Sequence, residues 1–527
     1  LSGAPGPLLD LAGATSALFD VPASTAGRFG SASIWLSDVE LALPTAGSTR
    51  FNGNLGIDWN AVAATGGAGT LSFSAAAVRL VDSSIAGNGL AVDFAVAGAD
   101  RQGVRIDGTT IATGGGDLFF GALQAVTSPR LGASAEDRWI EVDGNNVDSP
   151  ALIIRGSTID AGGGTVRGGG ANHALGAGTE IAGSAIRARR IQLAGRSETW
   201  TGLTLGTSAL DATELLTLEG FSAGAGTGTA AGTGLAILAG STLRLVDPAA
   251  QAGSQMRLHG EHLFGGSGLT LEGGAAGSGA LPTSIVVQGA SLLVEGSSAG
   301  GGVGLEMRGN AVGVVSIDLR PTPPARVAAA TASVADAAQL QAVAPGASGL
   351  ILDAQGATAL TLRGSSSGGP ISGLAVDSVE LRGPTAAGAP TLVESTGPLT
   401  MTGSLLAAGG PVTLRSQGAL TLADSALSTA GPLTLQASGA GLNGSLLSVL
   451  GTSLISNGLL TLDGRATSGG IGVSLLGGNT LRGADVVLVG GGSGAPGISF
   501  DAASAASTLV ATVGNISIDG DPAAAAS

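Results

Sequence analysis

Residues 398–439, PLTMTGSLLAAGGPVTLRSQGALTLADSALSTAGPLTLQASG, state one short phrase four times: PLTM, PVTL, ALTL and PLTL. Each copy alternates an apolar residue, a threonine and a second apolar residue, as in Leu420, Thr421 and Leu422. Alternation with period two is the signature of a strand with one buried face, so Leu is expected to point in and Thr out. Gly, Ala, Ser and Gly-Pro separate the copies. They leave apolar segments too short for helices, and Gly supplies the positive φ that tight corners need.

The phrase has a period. Met401 and Leu422 lie 21 residues apart, as do Leu414 and Leu435, and Leu435, Leu462 and Val489 follow at intervals of 27. A second phrase, Gly or Asp, then Ser or Thr, then Ile or Leu, recurs along the chain: VDSSIAG (ending at Gly87), DGTTIATGGG (Gly116), RGSTIDAGGG (Gly164), AGSAIRA (Ala188), GTSALDA (Ala212), ADSALSTAG (Gly431), GTSLISNG (Gly458) and GGNTLRG (Gly483). Ile85 to Ile111 spans 26 residues, Ile159 to Ile186 spans 27, Ile186 to Leu210 spans 24, and Leu427, Leu454 and Leu481 are 27 apart. A unit of two or three short strands cannot close its own core, whereas stacked units pair strand on strand and bury a continuous apolar column. The expected fold is all-β, a parallel β-solenoid or β-helix. At roughly 24 residues per coil it has about 20 coils, and a spacing of ~4.8 Å gives a length on the order of 100 Å.

Composition agrees. Of 527 residues 93 are Gly and only 3% aromatic, so burial must come from many small aliphatic side chains. All four Trp (Trp35, Trp59, Trp139, Trp200) and seven of ten Phe lie in the first 200 residues. Residues 1–200 are therefore expected to form wider-bored coils, with a cap where a solenoid end would expose unpaired backbone. Regular coils are expected over 201–320 and 349–527. The Pro- and Ala-rich segment 321–348 between them reads as an excursion or linker, either a short helix or an extended loop. The opening LSGAPGPLLDLAG lacks the basic region of a signal peptide, which suggests a mature or trimmed piece of a longer protein.

The absence of Cys excludes disulfides, thiolate metal sites and a cysteine nucleophile. A net charge of −15 argues against nucleic-acid binding, and the one dense basic cluster, RARR ending at Arg190, reads as solvated side chains before a polyanion site. No apolar run is long enough to span a membrane.

GALTLADSALSTAGPLTLQASG and its looser copies, within residues 375–490, resemble the repeats of filamentous-haemagglutinin-like exoproteins, and autotransporter passenger domains are similar in architecture. The resemblance implies a right-handed β-helix at the bacterial outer surface or released from it, working in adhesion, aggregation or matrix. Implied partners are glycans or a host or neighbouring cell surface, or further copies of the chain assembled into fibres. The matched repeats are scaffold and carry over no functional residue. Neither the family's secretion domain nor a C-terminal membrane barrel is recognised.

Motifs for chemistry are few, and neither an enzyme nor a cofactor is expected. GSSSG at 364–368 fits G-x-S-x-G around Ser366, but His173, His259 and His262 all precede it, contrary to the hydrolase order, so a turn is the better reading. GSGAPG at 492–497 follows the strand-like VVLV but leads into ISFD, a second strand and not the helix a dinucleotide site needs. His259, Glu261 and His262 in LHGEH lack the i, i+2 spacing that would put both imidazoles on one strand face, and are expected to be surface polar residues and not a metal site. AEDRWIEVDGNNVD, residues 135–148, is the most suggestive stretch. If extended, it places Asp137, Trp139, Glu141 and Asp143 on one face, an aromatic platform beside three carboxylates. Surface packing is the plainest reading of these four. Contact with a glycan or partner comes next, and catalysis last, because the Lys or Tyr associated with β-helix pectinases is missing.

Overall fold

The structure, a computed structural model, describes residues 8–20, 33–53, 55–96, 103–121, 141–144, 150–172, 176–224, 232–249, 251, 253–263, 266–272, 283–298, 304–309, 315–319, 325–329, 337–342, 350–355, 359–364, 373–377, 379–440, 445–468, 470–491, 496–501 and 505–520. Among these residues none is helical, and the strands stack in parallel ladders, as expected of a β-solenoid. Two compact units are present: Leu1–Val246 with Arg257–His259, and Asp247–Met256 with Gly260–Ser527.

The opening stretch lies in the second unit and shows how the coil is built. Leu399–Thr402, Leu405–Ala408 and Val412–Ser416 are three successive strands. Each pairs not with its neighbour in sequence but with the strand three places on, at Leu420–Ala423, Ala426–Thr429 and Leu433–Ala440. Three columns of aliphatic side chains result: Leu399, Leu420, Leu447 and Val473; Leu406, Leu427, Leu454 and Leu481; Leu414, Leu435, Leu462 and Leu488. All are at most 1% exposed, and each such burial contributes about 2 kcal/mol before entropy is counted. The repeated phrase occupies two different walls, since PLTM and ALTL belong to one ladder and PVTL and PLTL to another. The final interval of 27 is corrected by one residue. Leu462 opposes Leu488, and Val489 opposes Asp463 on the outward side, because a slip of one residue reverses the face.

The second phrase builds a corner. Its first residue adopts positive φ at Asp82, Gly108, Gly156, Gly183, Thr207 and Gly240 in the first unit, and at Gly403, Asp424, Gly451 and Gly478 in the second. The next residue turns its hydroxyl or amide inward: Ser83, Thr109, Ser157, Ser184, Ser208 and Ser241, then Ser404, Ser425, Thr452 and Asn479, none more than 4% exposed. The oxygens of Ser83, Thr109, Ser157, Ser184, Ser208, Ser404, Ser425, Thr452 and Asn479 accept the backbone N–H at the matching position one coil earlier, and Ser241 Oγ donates to the Leu205 carbonyl. Ser83 N–H donates to Thr109 Oγ1 at 3.4 Å, Thr109 N–H to Ser157 Oγ at 3.1 Å and Ser157 N–H to Ser184 Oγ at 3.2 Å. In the second unit Ser404 N–H donates to Ser425 Oγ at 3.2 Å, and Thr452 N–H to Asn479 Oδ1 at 3.0 Å. The hydroxyls in turn donate to carbonyls two residues back, as Ser157 does to Arg155 at 2.7 Å. Sharp corners in a dry interior would otherwise strand these amides. The outward Thr of the strand phrase therefore does not extend to the corners, where Thr109 and Thr452 turn inward beside the serines.

In the first unit the third ladder carries aromatic rings. Phe19, Phe51, Phe73, Phe94 and Phe120 stack at centroid separations of 4.4, 5.6, 5.0 and 5.2 Å, and Trp59 packs edge-on against Phe51 and Phe73. The stack stops at Gly168, which opposes Phe120; a Cβ there would lie 2.1 Å from the Phe120 carbonyl oxygen. Within residues 321–348 the described segments, Ala325–Ala329 and Ala337–Ala342, are ladder strands.

Candidate functional site

Of the four residues placed on one face by sequence, Asp137 and Trp139 lie outside the described residues. Glu141 and Asp143 belong to the strand Glu141–Gly144, which pairs with Gly169–Asn172. Glu141 opposes Gly169 and Asp143 opposes Ala171, so the two acidic residues do alternate with Val142 along an extended backbone. Ser366 also lies outside the described residues. Ile498–Asp501 is a strand, so the loop before it does not open a helix.

LHGEH takes a different place from the one expected. It ends the strand Gln255–His262, and His262 is fully buried. His262 Nδ1 accepts the Gly266 N–H at 3.1 Å, closing the loop that leaves the strand. Ser197, Ser222 and Ser298 donate instead to a loop carbonyl of the preceding coil, at Gly176, Trp200 and Gly266. Gly195 and Gly220 stand two residues before their serines, where the outgoing and returning backbones meet. A Cβ at either would lie within 2.0 Å of a carbonyl oxygen, so each crossing admits only glycine. His262 therefore serves as a loop-closing acceptor. Burial lowers its pKa and keeps it neutral. Burial lowers that of His259 to about 4, with Arg257 adding repulsion. Among the described residues no group of three His, Asp or Glu side chains could hold a metal.

Among the described residues several ion pairs join neighbouring rungs on the outer walls. Arg189 and Arg190 of RARR both pair with Glu214, Arg79 with Asp58, Arg155 with Glu180, and Arg244 with Asp211. In the RARR cluster Glu214 offsets part of the positive field that a polyanion would need. Glu219 is largely buried and pairs with Arg257 at 3.2 Å. Asp93 has its carboxyl pushed up from the usual value by burial and by the nearby Asp117 carboxylate, which is itself held by the Thr165 N–H at 2.8 Å.

Among the described residues two surfaces stand out as open to a ligand. One is a shallow groove of about 450 Å³ in the second unit, lined by Gln355, Thr385, Ala408, Ser428, Ile455 and Asn457. The other is the outer wall of the first unit around Trp35, which is 68% exposed. Trp35 is one of the N-terminal aromatics, and composition alone does not distinguish it from the core residue Trp59. The alternation Ile34, Trp35, Leu36 was the available signal. No family model, no curated protein and no solved structure matches the chain.

Proposed function

We propose that the protein is a non-enzymatic, secreted or cell-surface exoprotein of bacterial type, a right-handed β-helix of about 20 coils acting in adhesion as an extracellular rod. The observation that carries this reading is how the coil spends its polar groups. Corner hydroxyls bond to backbone and several outer charges pair across rungs, so repetition supplies length and a regular wall. The resemblance to filamentous-haemagglutinin-like repeats supports the location.

Electron microscopy of native material, on cells and after release, tests it. Separate rods on the order of 100 Å for a chain of this length, at ~4.8 Å per coil, attached at one end to the cell surface, are expected. Continuous filaments would replace adhesion by self-assembly as the function, and a cytoplasmic location would remove the proposal.

A further inference from the structure

On the first wall of the first unit, Ser33–Ser37 pairs with Gly56–Asn60, and that strand with Ala77–Val81. Ile34 and Leu36 align with Ile57 and Trp59 and then with Val78 and Leu80, forming the inner columns. The outer side carries the alternate residues. Trp35, Asp58, Arg79 and Arg105 form one outward column, with Ser33, Gly56, Ala77 and Gly103 on one side of it and Ser37, Asn60, Val81 and Asp107 on the other.

Trp35 exposes 68% of its surface from a paired strand, not from a loop. Among the described residues, its outward neighbours on the paired strands are small or polar. Ser37 Oγ donates to Asp38 Oδ2 at 2.8 Å, Asn60 Nδ2 donates to Ser37 Oγ at 3.4 Å, and Arg79 reaches Asp58 at 3.4 Å. The polar groups around the indole are thus held in place before any ligand arrives, which lowers the entropic cost of binding. The column Gly56, Ala77 and Gly103 leaves the flank of the charged rail low.

We propose that Trp35, Asp58 and Arg79 form a binding platform for a neutral linear glycan. A pyranose presents one face of C–H groups and a rim of hydroxyls, and this wall offers an aromatic plate with carboxylate, guanidinium, amide and hydroxyl groups at its edge. A protein interface instead centres on a contiguous apolar patch, which an indole ringed by Ser33, Ser37, Asp58 and Asn60 does not provide. Rungs spaced ~4.8 Å apart set Trp35, Asp58 and Arg79 at intervals close to the width of a sugar ring, so a chain running along the ladder meets a new group at each residue. Because Asp58 neutralises Arg79, the platform selects hydroxyls over carboxylates.

This inference deepens the adhesive reading. It is tested on the purified chain, so its failure and a failure of that reading are separable. Hexasaccharides of the cello, malto, xylo and chito series are titrated calorimetrically into the wild type, Trp35→Ala, Trp35→Phe and Asp58→Asn, with thermal unfolding of each recorded. At least one series is expected to bind, with loss of about tenfold or more in Trp35→Ala, partial retention in Trp35→Phe and unchanged unfolding. Absence of binding by every series, or affinity that survives Trp35→Ala, overturns the proposal. So does self-association, followed by sedimentation, that Trp35→Ala abolishes while no sugar binds, since the wall is then a protein contact.

Discussion

The coils around Phe51–Phe120 and those around Leu399–Leu488 fill the same architecture with different material. In the first, one of three columns is a stack of rings with a tryptophan edge beside it. In the second, all three columns are aliphatic. The corner is common to both. Asp82 and Asp424 each take positive φ, and Ser83 and Ser425 each accept an N–H from the preceding coil. The core tolerates either filling because identical residues meet their own kind at rung spacing. The corner has less freedom, since its backbone amides have no other acceptor.

Mutations can break or sharpen this comparison. The largest effect is expected from truncation in the aromatic column. Phe73→Ala should cost about 4 kcal/mol and Leu435→Ala about 3, because the ring leaves the larger void between two stacked neighbours. Urea unfolding of the two variants measures the difference, and equal costs would show that the rings contribute only their area.

Acid should separate the regions next. His259 has its pKa lowered from 6.5 to about 4, so its neutral form belongs to the fold and the unfolded chain binds the proton more readily. The associated stability is complete above pH 6.5 and is lost as pH falls toward 4. Between pH 7 and 5 the loss is on the order of 1–2 kcal/mol. Hydrogen exchange should show it around Met256–Gly260, while residues 399–488, which contain no histidine, stay protected. His259→Gln should reduce the dependence, and the part that remains is expected from His262, whose pKa burial also lowers.

A corner substitution should cost less than core truncation and act alike in both regions. Ser425→Ala and Ser157→Ala each strand the amide of the previous corner, Ser404 or Thr109, for about 1–2 kcal/mol apiece. Chemical denaturation tests this, and a cost confined to one region would break the claim that the corner is common. The smallest effect is expected at the outer wall, where Arg244→Ala removes a solvent-exposed pair with Asp211 at 3.5 Å and should change stability by less than about 1 kcal/mol in thermal melts.

Much of the fold is legible in the residues. Leu420, Thr421 and Leu422 declare a strand, and intervals such as Ile85 to Ile111 and Leu427 to Leu454 coincide with the observed register. The Phe column is not legible, because its members stand 32, 22, 21 and 26 residues apart, intervals too uneven to read as one ladder. Nor is the candidate site. Trp35 and Asp58 are 23 residues apart and become neighbours only when their strands pair.

What the sequence alone determined is what depends on neighbours along the chain: short strands, small-residue corners, a period, and hence stacked parallel rungs. Tertiary structure decided which polar residues go inside. Thr421 and Thr452 are the same residue type in the two repeated phrases, yet Thr421 faces out on a strand and Thr452 is 1% exposed at a corner, accepting the N–H of Ser425. Burial of a hydroxyl depends on an amide 27 residues away that lacks any other partner, and only the stacked coils bring the two within reach.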